Sequence, residues 1–211
     1  MQFSKDDISK MHHLYRINLI NSCTGYKSAN LIGTKDSKGQ SNLAVFSSVT
    51  HMGSNPGIIG FFTRPTTVVR HTYENIKETG YYTINSIHDS IIEDAHHTSA
   101  KYDKLVSEFE VTNLQEEYKG HCPAPFVNNA PIQIEMKFLE EYHINANNTI
   151  LVVGTVENIY LQDQIIEKDG FLNLSAAEVA TINGLDGYAV PKIKSRLEYQ
   201  RPKAGFAHRD N

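Results

Sequence analysis

Cysteine is scarce in this sequence. It occurs at positions 23 and 122 with no CxxC pair, so the chain has no disulfide framework. Long apolar runs are missing too: none approaches the ~20 residues that a bilayer-spanning helix needs. Basic charge is in short supply, with 20 Lys and Arg against 24 Asp and Glu and a formal net charge of -4. That balance argues against a general nucleic-acid binder. The first residues, MQFSKDDISKM, place two aspartates where a secretory leader has an apolar core. The expectation is a cytoplasmic protein with no nucleic-acid and no membrane partner. The glycosylation pattern at Asn147 carries no weight in that setting.

The familiar catalytic and nucleotide motifs are absent as well. There is no GxGxxG after a strand, no GxxxxGK[ST], no HExxH and no GxSxG. Ten histidines raise the question of a metal. Two pairs, His12-His13 and His96-His97, are adjacent, and neighbours on a helix point about 100° apart. They read as surface or partly buried residues, with the HHTSAKY turn a possible pocket border, and no metal site is expected. His121 and Cys122 are also neighbours, which seldom face each other as a catalytic pair does.

What is present suits one sizeable core: 211 residues, 40% hydrophobic and 21% charged. DISKMHHLYRINLINS has helical spacing and reads as an N-terminal helix, broken once. ANLIGT, SNLAVFSSV, GIIGFFT, YYTINSI, IQIEMKFLEEYHI and NTILVVGTVENIYL read as six strands. TYENIKETG reads as a helix capped by Thr72 and ended by Gly80. Helical pieces follow from Ser90 to Val111, a short helix is expected near Ser175 to Val179, and a last strand in SRLEY. Hairpin-like succession of strands favours a mainly β antiparallel barrel over a parallel sheet.

One stretch stands out. Between a strand and a helix, Thr63, Arg64, Thr66, Thr67, Arg70, His71 and Thr72 crowd into ten residues. Hydroxyls, guanidinium groups and free N–H groups at a helix start are what a phosphate monoester needs. Just upstream, FSSV ends a strand with small hydroxyl residues, where a flat ring can approach the backbone. Strand alternation puts Phe46 and Ser48 on one face and Ser47 on the other.

The stretch NLIGTKDSKGQSNLAVFSSVTHMGSNPGIIGFFTRPTTVVRHTYENIKETGYYTIN resembles the flavin reductase-like, FMN-binding split-barrel family. The shared features are a strand ending in Thr, a turn with Gly, Asn before a small-residue-rich strand with serines, and a Thr-x-x-Asn-Ile helix followed by TG. SEFE, NTILVVGTVENIYL and INGLDGYAVP resemble later blocks. The sequence departs at NPG, where the family often has a second proline. The resemblance spans residues 26–201, leaving 1–25 as an N-terminal helical segment and 202–211 as a tail.

The resemblance implies a six-stranded antiparallel Greek-key barrel with added helices, a homodimer, and FMN at the dimer interface. Carried over by motif, Thr34, Ser47, Ser48, Val49 and Thr50 border the flavin ring and ribityl chain. Thr63, Arg64, Thr67, Arg70 and His71 lie near the phosphate, and Asn75 is structural. The implied activity is hydride transfer from NADH or NADPH to flavin, with electrons passed to a small-molecule acceptor. Such transfer requires no protein acid or base, so no catalytic side chain is assigned. An FMN-binding electron-transfer or carrier protein without NAD(P)H activity, and a non-flavin split barrel binding another ligand such as haem, stay open as alternatives.

Overall fold

The computed structural model describes residues 1–201; the tail expected at 202–211 lies outside them. The chain opens with helices α1 (Lys5–Lys10) and α2 (His13–Ser22), separated at Met11 and His12. A reciprocal capping box fixes the start of α1: Ser4 Oγ accepts the Asp7 N–H and the Asp7 carboxylate accepts the Ser4 N–H. Neither helix contains a fully buried residue.

Then come β1 (Lys27–Ser28), β2 (Asn30–Lys35), β3 (Ser41–Phe46), β4 (Thr50–Ser54), β5 (Gly57–Thr63), α3 (His71–Thr79) and β6 (Tyr81–Ser86). A 3-10 turn at Asp89–Ile91 leads into α4 (Ile92–His97) and α5 (Glu108–Val111). The short pair β7 (Glu116–Glu117) and β8 (Phe126–Val127) precedes the long hairpin of β9 (Ile132–Ile144) and β10 (Thr149–Leu161). The small hairpin of β11 (Thr181–Asn183) and β12 (Gly187–Ala189) ends the regular structure.

Seven strands form the main sheet, in the order β3-β2-β6-β9-β10-β5-β4, all neighbours antiparallel. Six are strands expected from the sequence. The seventh, β4, lies in THMGS, which none of those six readings covers. Its hairpin to β5 closes over Asn55 and Pro56, and a bulge at Met52 obscures its period. The two ends of this sheet, β3 and β4, are consecutive in the chain. Only Ser47, Ser48 and Val49 join them. Four Cα steps of 3.8 Å allow at most about 15 Å between Phe46 and Thr50. The sheet therefore curls back on itself into a barrel, and a split remains where β3 and β4 do not pair. Ser48 spans it: its hydroxyl accepts the Phe62 N–H at 3.1 Å and donates to the Phe62 carbonyl at 3.0 Å.

The interior of the barrel holds Ile32, Phe61, Tyr82, Ile84, Met136, Ile150 and Val152, with Ile76 of α3 packed against them. Phe61 is the hub, edge-on to Phe46 at 5.0 Å and to Tyr82 at 5.7 Å between ring centres. A second layer lies outside β2 and β3. Leu31 and Leu43 there meet Ile87, Ala95, Leu114, Ala180 and Ile182. Strand β2 is thus buried on both faces, which is why NLIGT reads as continuous rather than alternating.

Three sequence expectations are corrected. Helix α3 begins one residue early, with Arg70 in the cap position and Thr72 inside and buried. Residues 175–179 form turns, not a helix, and SRLEY finds no ladder partner among the described residues. Gly80 does end α3 in the left-handed region, at φ 76°.

Gly154 shows how tightly the barrel wall closes. It sits at one of two register shifts between β9 and β10. A methyl group there would strike the Tyr82 hydroxyl and stand 2.8 Å from the Lys137 carbonyl. That hydroxyl is buried with no hydrogen-bond partner among the described residues. Gly154→Ala is expected to cost about 1–3 kcal/mol by overpacking. Tyr82→Phe alone should be neutral or stabilising, because it removes an unpaired buried hydroxyl. In urea melts the double variant should recover part of the Gly154→Ala loss. Strictly additive midpoints would refute the proposed clash.

Candidate functional site

A cavity of about 540 Å³ opens beside the split, within the range of small-molecule and cofactor pockets. Four segments wall it: the end of β3 with Ser47 and Ser48, the end of β5, the loop into α3, and the connection from α4 to α5.

Along β3 the side chains alternate. Leu43 enters the outer layer and Val45 packs against it, while Asn42, Ala44, Val45 and Phe46 all contribute to the cavity lining. Asn42 is buried yet polar, and its amide group is tied. Its Nδ2 donates to Thr72 Oγ1 at 3.0 Å and to Thr34 Oγ1 at 3.4 Å. Asn75 Nδ2 donates to the same Thr34 hydroxyl at 3.1 Å. Four side chains from β2, β3 and α3 thus form one polar knot that sets the start of α3 against the sheet.

The start of α3 carries no side-chain cap. Its first-turn N–H groups and the positive end of its peptide dipoles have no side-chain acceptor, an arrangement that suits an anion. Arg64 and Arg70 lie beside it on the cavity wall with His71. Of the six ion pairs among the described residues, none uses either arginine. Arg70 Nε donates to the Pro65 carbonyl at 3.4 Å, which shapes the loop.

A buried carboxylate, Glu108, also lines the cavity. The Leu43 N–H donates to its Oε2 at 2.8 Å. Burial raises its pKa, and that hydrogen bond opposes the rise. Thr98 to Tyr102 complete the wall. His96 and His97 begin this stretch but are engaged apart: His96 Nδ1 with the Tyr188 hydroxyl at 3.2 Å, His97 Nε2 with the Tyr102 hydroxyl at 2.6 Å. Among the described residues no three His, Cys, Asp or Glu groups are placed to hold a metal. Cys122 is buried away from this site, and burial pushes its thiol up to about 11.

Six of the ten expected site residues line the cavity: Ser47, Ser48, Thr63, Arg64, Arg70 and His71. Thr34, Val49, Thr50 and Thr67 do not. Thr34 is fully buried beneath the wall as the acceptor of the polar knot. Val49 packs toward the barrel interior, and Thr50 and Thr67 are exposed. Ser47 and Ser48 do not take opposite faces, because β3 ends at Phe46 and alternation ends with it. The Ser48 hydroxyl is committed to Phe62, so Ser47 is the freer of the two. The HHTSAKY turn does border the cavity, through Thr98–Tyr102, whereas Asn42 and Glu108 carry no expectation from the sequence. An asparagine inside an apolar strand was the available signal for the first. Glu108 reads as an ordinary helix-start carboxylate.

The donor set fits a flat ligand with one terminal phosphate. Small residues at the end of β3 leave room for a ring, and an uncapped helix start with two unpaired arginines can hold an anion.

The family model described as "Flavin reductase like domain" matches residues 26–176. A split-barrel protein from Shewanella frigidimarina NCIMB 400, described as a flavin reductase, is 44% identical. The match covers 95% of this chain and all of that one, with a TM-score of 0.91. Component B of nitrilotriacetate monooxygenase from Bacillus cereus shares the fold at 17% identity, covering 93% of this chain and 98% of its own, with a TM-score of 0.82. An FMN-binding protein from Thermus thermophilus does so at 14% identity, with 84% and 93% covered and a TM-score of 0.71.

Glu108 gives a testable pH signature. Its pKa in the folded protein lies above the ordinary value of 4.5, so between the two values the folded state holds more protons than the unfolded chain. The contribution of this group to stability is full below about 4.5 and is lost as pH rises through the raised value. Glu108→Gln keeps an acceptor for the Leu43 N–H and removes the titration. The variant should therefore gain stability relative to the parent as pH climbs from about 4.5. A stability difference that stays flat across urea melts from pH 4 to pH 7 would exclude that burial effect.

Proposed function

Because the chain belongs to the flavin reductase-like family, we propose that it is an FMN-binding oxidoreductase that takes a hydride from NADH or NADPH and passes electrons to a small-molecule acceptor, acting as a homodimer. The observation that carries this reading is the uncapped start of α3 with Arg64 and Arg70 at one end of the cavity. The 44% identity with the Shewanella protein, over nearly the full length of both chains, supports the activity class. The FMN-binding protein among the structural neighbours supports the cofactor.

When bound, the flavin supplies the hydride-accepting and electron-passing chemistry. The protein binds and orients. Arg64, Arg70 and the first turn of α3 hold the phosphate, and Thr63 and His71 border it. Ser47 and Ala44 leave the close approach that a planar ring needs, and the Ser47–Val49 backbone, outside every ladder, keeps its N–H groups out of strand pairing. The polar knot around Thr34 fixes the distance between the two ends. Glu108 places an acceptor on the wall, next to the Thr98–Tyr102 stretch.

A second protomer suits this surface. Phe62, Val68 and Val69 lie on the cavity wall with exposures of 43, 52 and 58%. Apolar rims of this kind mark interfaces, and a partner that covers them also shields the ligand from water.

Flavin released from the denatured protein should run as FMN on a column. FAD, or no flavin after reconstitution, would exclude the reading. Oxidation of NADH or NADPH in air separates the oxidoreductase from a carrier without that activity. Arg64→Ala should weaken FMN binding about ten- to a hundred-fold, the value of one charge-assisted hydrogen bond. Riboflavin, which lacks the phosphate, should bind both proteins equally in a fluorescence titration. Equal losses for both flavins would make Arg64 structural.

A further inference from the structure

Residues 190–201 run without helix, strand, turn or bend, yet they are tethered. Ser175 Oγ accepts the Ile193 N–H at 2.8 Å and donates to the Pro191 carbonyl at 3.0 Å. Three residues on, Arg196 pairs with Glu167 and Asp169, and its guanidinium lies 4.0 Å from the centre of the Phe171 ring.

The sequence of this arm has the period of a strand. Ile193, Ser195, Leu197 and Tyr199 share one parity; Lys192, Lys194, Arg196, Glu198 and Gln200 share the other. Of the charged parity, Arg196 turns onto the arm's own body, while every residue from Pro191 to Gln200 remains exposed. Leu197 and Tyr199, of the opposite parity, are 84 and 91% exposed. Neither large side chain is covered by its own chain's described residues, so both have apolar surface to bury on another body.

The main sheet offers a matching edge. Strand β4 is its last strand, paired with β5 on one side and with no described strand on the other. Thr50, His51, Met52 and Ser54 are exposed along it. Open edges of this kind accept an added strand. Charge favours the same encounter between copies. Residues 190–211 hold six of the 20 Lys and Arg but two of the 24 Asp and Glu. The remaining body therefore has fourteen basic against twenty-two acidic groups and attracts a basic arm.

We infer that residues 192–200 are an exchanged arm, which adds as a strand to the β4 edge of a second copy and sets Leu197 and Tyr199 against that copy's apolar surface. The exchange is reciprocal in a two-fold dimer. It rests on the homodimer reading above and goes beyond it by naming the segment that joins the two copies.

Hydrogen exchange and sedimentation on the full-length protein test the arm and the dimer separately. The intact protein should sediment as a dimer, with slow amide exchange across residues 193–199 and along β4. Because both positions are exposed in the single chain, a full-length L197D/Y199D variant should fold. It should dissociate at least about ten-fold more readily and speed exchange in both segments, with β9 and β10 unchanged. A chain ending at residue 191 should behave the same way. A dimer with fast exchange across residues 193–199, or one that both variants leave intact, would overturn the arm and spare the dimer. A monomer at micromolar concentration with FMN bound would overturn both.

Discussion

Three residues govern the architecture. Ser47, Ser48 and Val49 join the first and last strands of a seven-stranded sheet, and a link so short forbids an open, flat sheet. The sheet must roll until its ends nearly meet. It stays split: β3 and β4 are its two ends and do not pair with each other. The result is a cleft at the seam, stapled by Ser48 to the Phe62 backbone. The ligand-sized cavity lies beside that seam. Fold and site therefore share one cause: the constraint that bends the sheet also exposes the strand-end backbone beside which the cavity opens.

Most of the barrel was legible in the sequence. Six strands announce themselves, five by alternation and β2 as a short apolar run, and Gly80 announces the end of α3. The gaps have physical reasons. Strand β4 hides behind Gly53, a tight turn and a bulge that breaks its alternation. The β11–β12 hairpin is three residues a side, too short for any period to show. Thr72 looks like a cap from its neighbours in sequence, but Asn42, thirty residues earlier, takes its hydroxyl inward. SRLEY has the pattern of a strand but pairs with no described residue, so the expected last strand does not form.

The site divides the same way. The helix start was misplaced at Thr72, but that Arg64 and Arg70 share one wall was readable, because they lie on one short loop and their chemistry is shared. Thr34 was not, because motif position says that a residue is near a ligand without saying which way its side chain points. Its hydroxyl is spent on Asn42 and Asn75, one layer below the wall. Glu108 escaped notice for the opposite reason. Its burial is created by the packing of α5 on β3, a contact across sixty-five residues. Together these groups give the cavity two arginines beside α3 and a buried carboxylate elsewhere on its wall, an uneven distribution of charge along the lining.

The polar knot has a consequence for how the protein reaches its native state. Thr34, Asn42, Thr72 and Asn75 come from two strands and a helix, and each alone is a poorly placed polar group in an apolar region. Only when the β2–β3 hairpin and α3 have all docked are the hydrogen bonds available. The knot thus rewards the assembled arrangement and penalises every partly docked one. Such a device sharpens cooperativity: the start of α3 is in position on the cavity wall only in chains whose barrel is already built.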